Sequence, residues 1–303
     1  NLRGKRSETI AFSPYLLQQE WPEIFFQEYI GMLALYCFEY NLSLLVTLPY
    51  PEQSIPEMYQ ELAESHRVDG IILANIRPED PRIPLLQEIG LPFVSFGRTL
   101  NEMDRSYPFV DLDSKAGIRK LIGYLYAQGH RQIAYLKDSL EASYAYFRQR
   151  GYLEALQTHD LSEDPRLIVT GLHNQEDTFQ AVAHVLSLPT EIVPTAIVSS
   201  SDRLALSVLA ALRAQGKAIG KESGQIAVAS FDDLPFAAFV DPPLTTVRQP
   251  IAMLSKLALE LLVSILKQEV ISLPRTESSN LPVTQLGPEQ FLIEPELVIR
   301  ASA

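Results

Sequence analysis

The run I-A-V-A-S-F-D-D, Ile226 to Asp233, is followed by L-P-F-A-A-F-V, Leu234 to Val240, and by D-P-P-L-T-T-V-R-Q, Asp241 to Gln249. Ile226 to Ser230 is short, uncharged and rich in branched residues, as suits a strand buried on both faces of a parallel sheet. Phe231-Asp232-Asp233 falls just past its carboxyl end, where open α/β sheets bind ligands. A carboxylate delivered there can hold a sugar hydroxyl or a ring N–H. The same pair would also serve as an ordinary polar turn. The Pro242-Pro243 break and the Thr245-Thr246-Val247 run then lead the chain away, toward another domain.

Strand-like and helix-like segments alternate on both sides of this run. Strands are expected at 9–13, 42–48, 70–74 and 92–96, with helices at 23–40, 57–66 and 80–89 between them. Residues 109–112 are extended. Residues 114–128 read as a helix with Asp113 as its N-cap and Gly129 as its stop. A second set follows, with strands at 132–137, 167–170, 195–199 and 226–230 and helices at 144–159, 176–186 and 203–215. The helix at 251–267 carries Leu254, Ala258, Leu261, Leu262 and Ile265 on one face. This alternation implies parallel sheets. Two sets of four core strands indicate an α/β protein of two doubly wound parallel-sheet subdomains. A barrel of eight β/α units would also fit about 250 residues, but the irregular stretch at 97–108, halfway along, favours two domains. Residues 274–288 read as a polar surface loop, and 291–293 and 297–299 as late extended pieces.

The chain has 303 residues, enough for two ordinary domains. Its formal net charge of −12 argues against this chain holding nucleic acid alone, because phosphate binding needs a basic surface. The single Cys37 cannot form an internal disulfide, and its spacing with Ile30, Leu33, Ala34 and Phe38 marks a core thiol. No apolar run is long enough to span a membrane, and the opening N-L-R-G-K-R has no apolar stretch behind it, so a cytoplasmic location is expected.

Enzyme signatures are missing from the sequence: no G-x-G-x-x-G, P-loop, G-x-S-x-G or H-E-x-x-H. The five histidines never fall at i, i+3 or i+4, so no helix-borne metal pair is expected, and no cofactor is implied. His130, at a helix end, is expected to satisfy terminal carbonyls. The carboxyl ends of the strands instead nominate Tyr15, Trp21, Asn75, Phe96-Gly97-Arg98, the stretch from Ser139 to Tyr144, Ser200-Ser201-Asp202 and Asp232. Rings, hydroxyls, an amide and a carboxylate suit a small polyol. Trp21 would serve equally as helix-entry core, and Asp202 is expected as the N-cap of the following helix.

Ten pieces in one order carry a resemblance to a known family. They are T-I-A-F-S-P at Thr9, V-D-G-I-I-L at Val68, L-P-F-V-S-F-G-R at Leu91, V-D-L-D-S-K-A-G at Val110 and G-H-R-Q-I-A-Y-L at Gly129. R-Q-R-G-Y at Arg148, S-S-S-D-R-L-A-L at Ser199, V-A-S-F-D-D at Val228, P-P-L-T-T-V-R-Q-P at Pro242 and E-P-E-L-V-I-R at Glu294 follow. In these the chain resembles the effector-binding core of the lactose/galactose repressor (LacI/GalR) family.

The resemblance implies two periplasmic-binding-protein-like type I subdomains, 8–111 plus 250–289 and 112–249 plus 290–303, with an effector held between them. Crossings are expected near Leu112, near Val247 to Pro250 and near Pro288 to Phe291. It implies that Arg148 grips the effector with its planar fork and that Asp232 accepts from effector hydroxyls. Ser201 stands where sugar-binding members often carry Asn, which leaves the effector's identity open. Gln249 is implied at the ligand, and Tyr144 lies one helical turn before Arg148. The implied partners are a mono- or disaccharide, a second copy of the chain through Leu206 and the Phe236 to Val240 stretch, and operator DNA through an absent helix-turn-helix headpiece. Residues 1–7 resemble the end of the family's hinge helix, with Leu2 as the minor-groove wedge. The implied function is a non-enzymatic repressor core. The alternative is the solute-binding protein of a sugar transporter.

Overall fold

The computed structural model describes residues 7–15, 24–49, 53–104, 106–138, 141–269 and 281–303. Its contacts divide the chain into two compact units. Among the described residues, unit 1 runs to Leu112 and takes up Ala142–Tyr144 and Pro250–Ile293; unit 2 holds the rest.

The first leg of the chain contributes β1 (Thr9–Pro14), α1 (Ile24–Glu39), β2 (Ser43–Val46), α2 (Ile55–Glu64), β3 (Gly70–Ala74), α3 (Arg82–Ile89), β4 (Phe93–Phe96) and β5 (Phe109–Leu112) to unit 1. The middle leg builds unit 2 with α4 (Ser114–Ala127), β6 (Ile133–Asp138), α5 (Ser143–Thr158), β7 (Ile168–Leu172), α6 (Gln175–Leu186), β8 (Ala196–Ser199), α7 (Asp202–Ala214), β9 (Ala227–Asp232) and β10 (Thr245–Arg248). The last leg returns to unit 1 as α8 (Ile251–Lys267), β11 (Val283–Gly287) and β12 (Gln290–Ile293), and ends in unit 2 as β13 (Glu296–Val298).

Unit 1 is a seven-stranded sheet in the order β11-β12-β5-β4-β3-β1-β2, and unit 2 a six-stranded sheet in the order β13-β10-β9-β8-β6-β7. Both are doubly wound. In each, the chain steps from the first strand to one side and then crosses to the other, so strand order reverses between β1 and β3 in unit 1 and between β6 and β8 in unit 2. The central strands are buried along their whole length, as their unalternating apolar runs require. In unit 2, Ala134, Leu136, Ile197 and Val228 of the sheet pack on Val182, Val208 and Leu212 of α6 and α7. In unit 1, Leu254, Ala258, Leu261 and Leu262 of α8 are fully buried, as their spacing predicts. Cys37 is buried in α1, and burial pushes its thiol up to about 11, as fits a core residue.

Several sequence expectations need correction. The sheets are parallel in their bodies but mixed at one edge, where β11 pairs antiparallel with β12 and β13 with β10. β11 occupies the end of the stretch expected to be loop; its short, partly polar run carries no signal until β12 supplies a partner. β12 pairs parallel with β5, so the last crossing follows Ile293 rather than falling near Pro288 to Phe291. The Thr245–Thr246–Val247 run does not leave the unit at once. It forms β10 beside β9, and the chain crosses after Gln249. The helix expected at 57–66 begins at Ile55, because Ser54 and Glu57 form a reciprocal capping box. His130 does not cap a helix through its ring: Nδ1 pairs with Thr195 Oγ1, and Arg131 donates to the Tyr126 carbonyl instead.

Candidate functional site

The carboxyl ends of β8, β9 and β10 bring together side chains that are far apart in sequence. Arg148 comes from α5 and is almost fully buried. Its Nη1 donates to the Ser200 carbonyl at 2.6 Å and its Nη2 to Asp232 Oδ1 at 3.0 Å. The guanidinium lies 3.8 Å from the centre of the Phe231 ring, a cation–π contact that fixes its plane. Asp232 Oδ1 also accepts from Gln249 Nε2 at 2.7 Å. The carboxylate takes a further hydrogen bond from the backbone N–H of Asp202, at the start of α7. Burial pushes the Asp232 carboxyl above its ordinary value, and the Arg148 guanidinium, the Gln249 amide and the Asp202 N–H offset this only in part.

Its backbone is strained: φ is 128° at Asp232 and 57° at Asp233. Non-glycine residues rarely hold such angles, and those that do cluster at functional sites. The two neighbours divide their work. Asp233 accepts from Arg248 Nε and from Arg300, both at 2.6 Å, and so ties β9 to β10 and to the carboxyl-terminal segment. Asp232 is left facing Arg148 and Gln249.

Beneath them lies a second acid. Asp202 is fully buried and accepts from the Ser230 hydroxyl, the Thr246 hydroxyl at 2.7 Å and the Leu234 N–H at 2.8 Å. Burial, with the nearby charge of Asp232, pushes its carboxyl up to about 7. Asp202 is not the N-cap that was expected. Helix α7 starts at Asp202, and Ser201 caps it by accepting from Leu204 N–H at 3.3 Å. The Ser201 hydroxyl also donates to Asp138 Oδ2 at 3.3 Å. Sequence reading passed over Asp138 because it looked beyond the strand, from Ser139 onward. The available signal was a charged pair, Lys137-Asp138, ending an apolar strand.

Unit 1 presents a separate group at its own switch point. Asn75 follows β3 with φ at 55°, and its Nδ2 donates to the Tyr15 carbonyl at 2.6 Å. Its Oδ1 is buried, and no donor reaches it among the described residues. Tyr15, just past β1, lies under two guanidiniums: Arg77 at 4.3 Å and Arg82 at 5.0 Å from the ring centre. Arg82, which sequence reading missed, is fully buried and clamps the ends of β1 and β3. It donates to the Ser13 and Ala74 carbonyls, both at 3.0 Å, and is paired with Asp80 at 2.7 Å. Phe96 ends β4 and stacks on Tyr29 at 4.5 Å and Phe25 at 5.8 Å. Tyr144 is half-buried in the first turn of α5. Leu2, the other residues 1–6, Trp21 and Ser139 lie outside the described residues.

Residues 122–303 match the family model of the periplasmic binding protein-like domain. A regulatory protein of the LacI family from Chloroflexus aggregans is 32% identical, with a TM-score of 0.82 over 98% of each chain. The chain belongs to the LacI family of regulators.

Among curated relatives of this LacI-family chain, the transcriptional regulator CelR of Thermobifida fusca is 31% identical over 67% of the chain and 58% of its own length. The chain spans less than two thirds of the length of the first such relatives. A solved complex of CelR with cellobiose shares the fold at 24% identity, with a TM-score of 0.82 over 99% of this chain and 85% of that one. The relatives named here are transcriptional regulators rather than enzymes, and the chain is the ligand-binding core of such a regulator. No group of His, Cys, Asp and Glu among the described residues is arranged to hold a metal. No helix among them is long and apolar enough to cross a membrane.

Proposed function

We propose that this chain is the effector-sensing core of a cytoplasmic, DNA-binding transcriptional repressor whose operator affinity is set by a small sugar. The observation that carries this reading is the buried group of Arg148, Asp232 and Gln249 at the carboxyl end of the six-stranded sheet. Asp232 is held in place by donors on several sides, and its carboxyl can accept from a sugar hydroxyl. Arg148 holds it in place and supplies a planar fork for the same ligand. In unit 1, the buried Asn75 Oδ1 supplies an acceptor at the end of β3. The complex of CelR with cellobiose makes a disaccharide the first probe.

In this reading, Tyr15, Asn75, Phe96, Tyr144, Arg148, Ser201, Asp232 and Gln249 contact the effector. The regulator acts as a homodimer, and Leu2 belongs to a hinge that meets operator DNA. Phe239 is 87% exposed and Leu206 37% exposed, as a dimer contact through them needs. Similarity to the transcriptional regulators named above supports this over a solute-binding role.

The test is thermal melting with a panel of mono- and disaccharides, followed by Asp232→Ala. One saccharide should raise the melting temperature of the wild type, and the variant should fold but lose that rise. A rise that persists in Asp232→Ala would show that the ligand sits elsewhere. A monomer at micromolar concentration, measured by light scattering, would count against the repressor reading.

A further inference from the structure

One buried carboxylate at the switch point of the six-stranded sheet stands apart from the group built on Asp232. Asp138 is the last residue of β6, the strand from which the chain turns to β7 and later crosses to β8. The crevice where strand order reverses, at the carboxyl ends of β6 and β8, is where open α/β sheets take their ligands.

Asp138 is 2% exposed. Its Oδ2 accepts from the Ser201 hydroxyl at 3.3 Å and lies 3.9 Å from the Arg203 guanidinium. Its backbone N–H donates to Ser200 Oγ at 3.2 Å. Its other oxygen, Oδ1, is buried, and among the described residues no donor reaches it. An unsatisfied carboxylate oxygen is costly to bury, and a native protein that keeps one needs a reason. A ligand hydroxyl arriving at the switch point would be that reason.

Register locates this oxygen relative to Asp232. Leu136 stands opposite Ser199, and Val198 opposite Ala229. Extended two and three residues past these last pairs, the same register would bring Asp138, Ser201 and Asp232 to one level across β6, β8 and β9. Asp138 and Asp232 are therefore two strand spacings apart, roughly 10 Å along the sheet. That exceeds the reach of one pyranose ring and lies within that of two linked rings. Arg148 and Arg203 face these two acids at 3.0 and 3.9 Å, so the pair offers hydrogen-bond acceptors suited to neutral hydroxyls.

We propose that Asp138 is a specificity-determining residue of the effector site. Its Oδ1 accepts from one hydroxyl of a neutral disaccharide while Asp232 accepts from another. The proposal rests on the effector reading above and goes further by naming the ligand's size, charge and second anchor.

The experiment uses the whole 303-residue chain. Melting with cellobiose, maltose, lactose, melibiose, glucose, galactose, galacturonate and glucose 6-phosphate selects a ligand, and titration calorimetry then measures it on wild type and Asp138→Asn. The asparagine keeps an acceptor for Ser201; Asp138→Ser repeats the measurement at smaller volume should the first variant fold poorly. The expected result is a neutral disaccharide whose affinity falls at least tenfold in Asp138→Asn while the unliganded melting temperature holds or rises. The monodeoxy analogue lacking the anchored hydroxyl should bind the wild type weakly and lose nothing further in the variant, which a merely structural role for Asp138 would not produce. Unchanged affinity in Asp138→Asn would overturn the proposal and leave the effector reading standing. Preference for galacturonate or glucose 6-phosphate in the wild type would overturn it as well. Silence of the entire panel would overturn both.

Discussion

Truncating Arg148 to alanine should destabilise unit 2 by about 3–5 kcal/mol. Both partners of the Arg148–Asp232 pair are buried, with side chains 4% and 6% exposed, so neither can recover its hydration when the other is lost. Removing one member of such a pair strands the other charge, which is where the 3–5 kcal/mol arises. The Ser200 carbonyl loses its 2.6 Å donor and the Phe231 ring its cation, losses contained in the same figure. For a unit of this size each kcal/mol moves the melting temperature by about 2–4 °C, so a fall of roughly 6–20 °C is expected.

The mechanism is separable from simple loss of packing. In an Asp232→Asn background no charge is stranded, and the cost of Arg148→Ala should drop to about 1–2 kcal/mol. Calorimetric melting of the four proteins of this double-mutant cycle should therefore show a coupling of about 2–3 kcal/mol. A single-variant loss below about 1 kcal/mol, or strict additivity, would refute the view that Arg148 and Asp232 compensate each other as a buried pair.

Three further outcomes are expected. Asp202 has a folded-state pKa above its unfolded value, because burial and Asp232 both disfavour its charge. Its contribution is therefore intact below about pH 4 and is lost as pH rises through the folded value. The melting temperature of wild type relative to Asp202→Asn should accordingly decline between pH 4 and 8; a flat difference would contradict this. Gly151→Ala places a Cβ 2.8 Å from the Lys115 carbonyl of α4 and should cost about 1–3 kcal/mol, whereas Gly31→Ala in α1 meets nothing within 4 Å and should gain about 0.5–1 kcal/mol; urea titration decides both. Asp80→Ala strands Arg82 at the ends of β1 and β3 and should cost unit 1 about 3–5 kcal/mol in the same assay, with a loss under 1 kcal/mol as the contrary result.

Much of the fold was legible because burial periodicity is a local signal. Runs such as G-I-I-L-A and A-V-A-S-F can only be strands covered on both sides, and their alternation with helices dictates a parallel, doubly wound arrangement. The edge strands β11 and β13 were not legible in the same way. Short and half-exposed, they owe their strand geometry to a partner and not to their own composition. The site was partly legible too. The rule about strand ends named Tyr15, Asn75, Ser201 and Asp232 as candidates, since it depends only on where strands stop. It found neither Asp138, hidden as the last residue of its strand, nor Arg82, whose neighbours in sequence do not show that it turns under β1 and β3.

The sequence by itself determined which segments become strands and helices, that the sheets are parallel in their bodies, and which carboxylates and rings lie near strand ends. Only the tertiary structure decided who meets whom. Arg148 reaches Ser200 and Asp232 across 52 and 84 residues, Ser201 rather than Asp202 takes the cap, and Asp138 accepts from the Ser201 hydroxyl. Hydrogen bonds tolerate only tenths of an ångström, and that placement comes from helices packing on a sheet whose register is set by residues far from the site.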